Sequence, residues 1–158
     1  MIFVARIIIL NFLIFVSKAE FEISKAILDE VVKNRFGPSA TIISAEISEF
    51  SNRTVGASSK QHFLTVSVSD ESGNEIQDTF FLKTHLKKNL LTTAVNYDRM
   101  FLSEAKFYSQ ENPLLSKNIY MEPWLPRSYS AHKDIIILEN LENSGFKAVK
   151  GILSFQEL

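Results

Sequence analysis

From Phe21 to Phe36 apolar residues recur at helical spacing. Ile23, Ile27 and Val31 share a row with Leu28 beside it, while Glu22, Lys25, Glu30 and Lys33 fall on the watered face. This predicts an amphipathic helix, stopped by Gly37-Pro38-Ser39. The period then becomes two. Ile43, Ala45 and Ile47 alternate with polar neighbours, so Thr41 to Phe50 predicts a half-buried strand. Ser51 to Lys60 is a polar loop holding Gly56, and alternation returns from His62 to Ser69 with Leu64, Val66 and Val68 on one face. The polar run Asp70 to Glu75 is a turn, and Ile76 to Lys83 is the returning strand of an antiparallel hairpin, centred on Phe80-Phe81-Leu82.

After the basic connector His85 to Asn89, the stretch from Thr92 to Gln110 is helical, with Tyr97, Phe101 and Tyr108 near one face and Met100, Glu104 and Phe107 beside them. Asn112-Pro113 is expected to end it, leaving Leu114 to Tyr120 irregular. Pro123 and Pro126 punctuate the next stretch. Ile135 to Leu138 is a short, wholly apolar run and predicts a fully buried strand, before a turn at Asn143-Ser144-Gly145.

The two ends carry separate signals. Arg6 precedes the apolar run Ile7 to Val16, and Ser17-Lys18-Ala19 supplies small residues at −3 and −1 of a cut after Ala19. Residues 1–19 thus read as a secretory signal or hydrophobic leader, too short to span a membrane. The alternatives are a buried element or a misassigned start. The sequon at Asn52 matters only if the chain is secreted. Ser154-Phe155-Gln156-Glu157 has the form of a capping box, which opens a helix at the point where the sequence stops. Residues 20–158 are therefore expected to be one lobe of a larger unit.

Composition narrows the chemistry. No cysteine is present, which removes disulfide frameworks, thiolate-bound zinc and thiol nucleophiles. A net charge of −1 provides no field to attract nucleic acid. The 13 phenylalanines fit a bulky core. His62, His85 and His132 are scattered, with no metal-ligand spacing.

One constellation remains: a hairpin ending in Lys83, then a helix centred on Glu104. Nucleotide phosphates need a fixed cation, and a strand lysine held by a helix carboxylate provides one. Lys83 follows an apolar triplet where an unpaired charge is costly. On spacing alone the plainer alternative is favoured, with Lys83 leaving the sheet edge for water and Glu104 on the surface.

The motifs shift that balance. Phe80-Phe81-Leu82-Lys83, the F-x-x-E-x-x-F-Y run from Phe101 to Tyr108, Asn112-Pro113-Leu114-Leu115, the P-x-x-Y of Pro126 to Tyr129, and Leu138-Glu139-Asn140-Leu141 followed by Gly145-Phe146 occur in one order. That order resembles the ecdysteroid-kinase-like family, relatives of choline and aminoglycoside kinases. The resemblance runs from about Phe21 to Leu158 and is best over the last half. It implies an α+β fold: a protein-kinase-like N-lobe with an antiparallel sheet of about five strands and a packed αC-type helix, preceded by an amphipathic helix and ending just after the hinge. It further implies that Lys83 meets the α- and β-phosphates of ATP, that Glu104 orients it, and that Glu139, Asn140 and Leu141 meet adenine through backbone groups. Leu138 and Leu141 would line that pocket. Gly56 and Ser58 stand in the phosphate-facing loop.

Several features depart from the family pattern. The loop Val55-Gly56-Ala57-Ser58-Ser59 has a single glycine, and Asn140 replaces the usual hinge aspartate. No His-Gly-Asp catalytic loop occurs. His132-Lys133-Asp134 shares its outer letters but precedes the hinge strand, so it is not assigned a catalytic role. Magnesium would bind only with the missing C-lobe. The expectation is a nucleotide-binding lobe of a small-molecule kinase, inactive alone, with weak or lost ATP binding. The hydroxyl acceptor belongs to the full-length relative, and the C-lobe-facing surface is exposed and prone to self-association. The family suggests the cytoplasm, whereas the leader suggests secretion. The second reading is a secreted or degenerate binding module without phosphotransfer. The third is a generic α+β domain in which Lys83 and Glu104 lie far apart.

Overall fold

The computed structural model describes residues 22–50, 59–85, 97–118 and 125–146. The leader at 1–19, the Asn52 sequon, Gly56 and Ser58 of the loop, the 86–96 connector and the capping box at 154–157 lie outside the described residues.

Helix α1 is Lys25–Phe36. It begins later than Phe21 because Ser24 takes extended backbone and its hydroxyl accepts from the Ile27 N–H, as an N-cap does. Ile23 just before the cap and Leu28 in the first turn are both buried in one cluster, a hydrophobic staple that fixes the entry of the chain. Gly37, at φ 100°, closes the helix.

Strands β1 (Thr41–Glu49), β2 (Ser59–Ser69), β3 (Glu75–His85), β4 (Ser128–His132) and β5 (Ile135–Glu139) form one sheet in the order β1-β2-β3-β5-β4. Every neighbouring pair is antiparallel. The expected α+β architecture with a five-stranded antiparallel sheet is therefore present. Helix α2 is described from Tyr97 to Lys106, continues as a π-helical turn over Phe107–Glu111, and runs on as α3, Asn112–Asn118.

Alternation along the strands divides the core in two. Leu64, Val66 and Val68 of β2, Phe80 and Leu82 of β3, and Ile135 and Ile137 of β5 pack against Leu28, Val31 and Val32 of α1. Ile136 and Leu138 of β5 point the other way, where Phe101 and Ala105 of α2 meet them with Phe81 and Tyr108 alongside. The sheet is thus covered by α1 on one face and by α2 on the other. Because side-chain direction has period two, each β3 residue is assigned to a face by parity. Phe80 and Leu82 face α1, whereas Phe81, Lys83 and His85 face α2.

Four local expectations are corrected. In β1 a register shift between Ile42 and Ser44 leaves Ile43 exposed and turns Ile42, Ala45 and Ile47 to the core, the signature of a β-bulge. Glu30 does not simply face water; its Oε2 accepts from Ser130 Oγ at 2.9 Å and lies 2.8 Å from His132 Nε2, tying α1 to β4. Strand β2 starts at Ser59, inside the expected loop. Pro113 does not stop its helix, and the Leu114 stretch is helical rather than irregular. A proline lacks the donor for an i−4 bond and crowds that carbonyl. Here the preceding turn is widened, with the Asn112 N–H reaching Phe107 O, so the helix axis passes the proline intact.

Candidate functional site

β3 is the central strand and lies between β2 and β5, which places Lys83 across from Gln61 on one side and Ile136 on the other. Its ammonium reaches the α2 face and lies 2.5 Å from Glu104 Oε1. The two side chains are 16% and 29% exposed, so the pair is largely withdrawn from water. Glu104 is held there by its helix neighbours. Phe101 and Ala105 are buried against Ile136 and Leu138, which seats α2 on the sheet with Glu104 at the Lys83 row. Burial pushes the Tyr108 phenol up, and the Glu104 charge adds to this, so Tyr108 remains neutral beside the pair.

Two further groups share this face. Ser59, opposite His85 in the β2–β3 ladder, is buried and its hydroxyl makes no hydrogen bond. Phe50, Phe63 and Phe81 form an aromatic group with centroid separations of 5.1, 5.7 and 6.4 Å. The sequence places Ser59 only at the end of the phosphate-facing loop Val55 to Ser59, and the phenylalanines read as core. The available signal was parity, since Phe63 and Phe81 are cross-strand partners two residues from Gln61 and Lys83.

The hinge segment lies further along the same ladder. Glu139 pairs with Phe80, three residues from Lys83, a separation of about 10 Å along the strand. The three predicted hinge residues behave differently. The Glu139 side chain turns to the α1 face, where it accepts from the Arg127 N–H and the Ser144 hydroxyl. The Asn140 side chain is buried and accepts from the Glu142 N–H, capping the 3-10 turn Leu141–Ser144. Aspartate at this position offers the same acceptor oxygen, so asparagine preserves the turn. Gly145, in the left-handed region at φ 86°, donates to Glu142 O and Leu141 O and ends the turn. Leu141 opens the turn, and the first N–H groups of a helical turn have no intrahelical acceptor. Its side chain is 36% exposed, whereas Leu138 is core.

The structure therefore brings Lys83 and Glu104 together and places Leu141 on the adjacent strand's exit. It directs the side chains of Glu139 and Asn140 into the scaffold. Among the described residues no three His, Asp or Glu side chains converge as a metal site.

The sequence profile of the ecdysteroid kinase-like family matches residues 57–157. The chain belongs to the ecdysteroid kinase-like family. No curated protein and no solved structure matches it. Within this family member, the F-x-x-E-x-x-F-Y run has a physical division of labour. Phe101 anchors α2, Glu104 holds Lys83, and Phe107 packs edge-on against Tyr108 at 5.3 Å where the π turn begins. In the P-x-x-Y run, Tyr129 is buried against Phe80 on the α1 face, so that motif supports the sheet from behind. The third reading, with Lys83 and Glu104 far apart, is excluded by their contact.

Proposed function

We propose that this kinase-like chain is a nucleotide-binding lobe and that ATP lies along the α2 face between Lys83 and the hinge. The observation that carries the reading is the Lys83–Glu104 pair, a desolvated cation held by a helix carboxylate on the central strand. A lysine so held presents a fixed positive charge to phosphate oxygens, and the carboxylate keeps that charge in register when the site is empty. The aromatic group of Phe50, Phe63 and Phe81 on the same face supplies an apolar surface suited to a purine ring. The Leu141 N–H provides a donor of the kind adenine nitrogens accept. Gly56 and Ser58 belong to the loop that would approach the phosphates, and Ser59 would add a hydroxyl.

Among the described residues no three acidic or histidine side chains converge to hold magnesium, and no step is assigned to that ion. The 158 residues contain no His-Gly-Asp, so we expect nucleotide binding without phosphate transfer from this chain alone. In an enzyme containing such a lobe, the acceptor would be the hydroxyl of a small molecule of the ecdysteroid or choline type. Isothermal titration of ATP into the chain and into Lys83→Met tests the reading. Binding by the former and at least tenfold weaker binding by the latter is expected, and equal binding by both would refute it.

A further inference from the structure

Lys83 is not the only β3 side chain that grips α2. His85, two residues on and therefore on the same face, places Nε2 3.0 Å from Asp98 Oδ1. Its ring also meets the ring of the fully buried Phe101 edge-on, with centroids 5.2 Å apart. Asp98, Phe101 and Glu104 are spaced three and three, so they lie along one face of the helix. The backbone of His85 is itself fixed, since its N–H donates to Asp134 O in the β4–β5 turn at 3.0 Å. The His85 and Asp98 side chains are 19% and 35% exposed, which makes this contact nearly as sheltered as the Lys83–Glu104 pair.

The geometry has a mechanical consequence. A single ion pair leaves a helix free to swing about it. Two contacts separated by about 9 Å along the helix and about 7 Å along the strand fix its direction. With Phe101 as the fulcrum, a swing of roughly 10° would carry Glu104 by about 0.8 Å, enough to stretch and weaken its hydrogen bond to Lys83.

We propose that His85 is a positioning residue which, through Asp98 and Phe101, sets α2 so that Glu104 meets Lys83. Its consequence for ligand binding rests on the nucleotide reading above, but its geometry does not. His85 touches no phosphate in this account; it acts through Glu104.

The test has two arms, both on the full chain. In the first, lysines are reductively methylated with isotope-labelled formaldehyde, and the Lys83 signal is assigned by its loss in Lys83→Arg. Glu104→Gln moves that signal, and His85→Ala is expected to move it in the same direction. His85→Gln, which keeps an N–H donor for Asp98, is expected to restore most of the wild-type position. Val31→Ala, which weakens the core on the α1 face, lowers the melting temperature without moving the signal. An unchanged Lys83 signal in His85→Ala would overturn the proposal. In the second arm, His85→Ala weakens ATP binding several-fold in the wild-type background and has no further effect in Glu104→Ala. An equal loss in both backgrounds would overturn the proposal too, because His85 would then act independently of Glu104. If the wild-type chain fails to bind ATP while the Lys83 signal still responds to His85, the nucleotide reading falls and the positioning role stands.

Discussion

Removing Glu104 should cost stability, and removing both members of its pair should not. With side chains 16% and 29% exposed, the Lys83–Glu104 pair lies between two well-measured limits. Exposed pairs contribute at most about 1 kcal/mol, whereas stripping one partner from a fully buried pair costs about 3–5 kcal/mol. Glu104→Ala leaves the more deeply buried member, the Lys83 ammonium, without its carboxylate. An intermediate cost of about 2 kcal/mol follows, or about 4–8 °C in melting temperature for a domain of this size. Lys83→Met strands the more exposed Glu104, which rehydrates more easily, so about 1 kcal/mol is expected. The double variant Lys83→Met with Glu104→Leu buries apolar groups of similar length and should return to within about 1 kcal/mol of wild type. Urea unfolding followed by circular dichroism gives the stability of all four proteins. ATP titration of the same proteins should find binding weakened in each variant, by at least tenfold wherever Lys83 is replaced, including in the stable double one. A Glu104→Ala cost below about 0.5 kcal/mol would mean that the pair behaves as a surface contact, and the reasoning would fail.

Three other outcomes follow. Burial holds the His62 imidazole below its ordinary 6.5, with the neighbouring Lys60 charge adding to this, and both ring nitrogens are buried without hydrogen-bond partners. The unfolded chain therefore takes up this proton first as the pH falls. The stabilisation is complete above 6.5, is lost below it, and levels off once the folded imidazole protonates; thermal melts of His62→Phe should show a smaller acid-side decline than wild type. Gly145→Ala meets open space, so its cost is backbone strain at φ 86°, about 1 kcal/mol, and ATP affinity should fall as the hinge turn shifts. Met100, Leu102, Leu114, Leu115, Leu141 and Phe146 are all exposed on α2, α3 and the hinge, and sedimentation should detect self-association that rises with concentration and weakens in Leu102→Lys with Leu114→Lys.

Much of this fold was legible because its periods are strong. Leu64, Val66 and Val68 alternate without interruption and are all fully buried, and the Ile135 run is a strand covered on both faces. The errors fall where a single residue breaks a period. Ile43 sits at a bulge that the local alternation conceals, and Pro113 is accommodated by a π turn that no short-range rule anticipates. The candidate-site residues divide along the same line. Lys83 reads as the end of a strand and Glu104 as part of a helix, as the structure has them, but their contact depends on how α2 docks, which spacing alone disfavours. Glu139 and Asn140 are expected to act through backbone groups, and the pleat and the cap turn both side chains into the scaffold. His85 reads only as part of a basic connector, because its partner Asp98 lies 13 residues away and only the docking of α2 brings the two together.

A nucleotide lying on the α2 face between Lys83 and the hinge would perturb the amides around it. Backbone amide spectra of the labelled chain during an ATP titration should therefore show saturable shifts at Lys83, Phe81 and Leu141, with little change at Arg35 and Asn143 on the opposite face. Shifts confined to the α1 face, or no saturable shift at millimolar ATP, would contradict that placement.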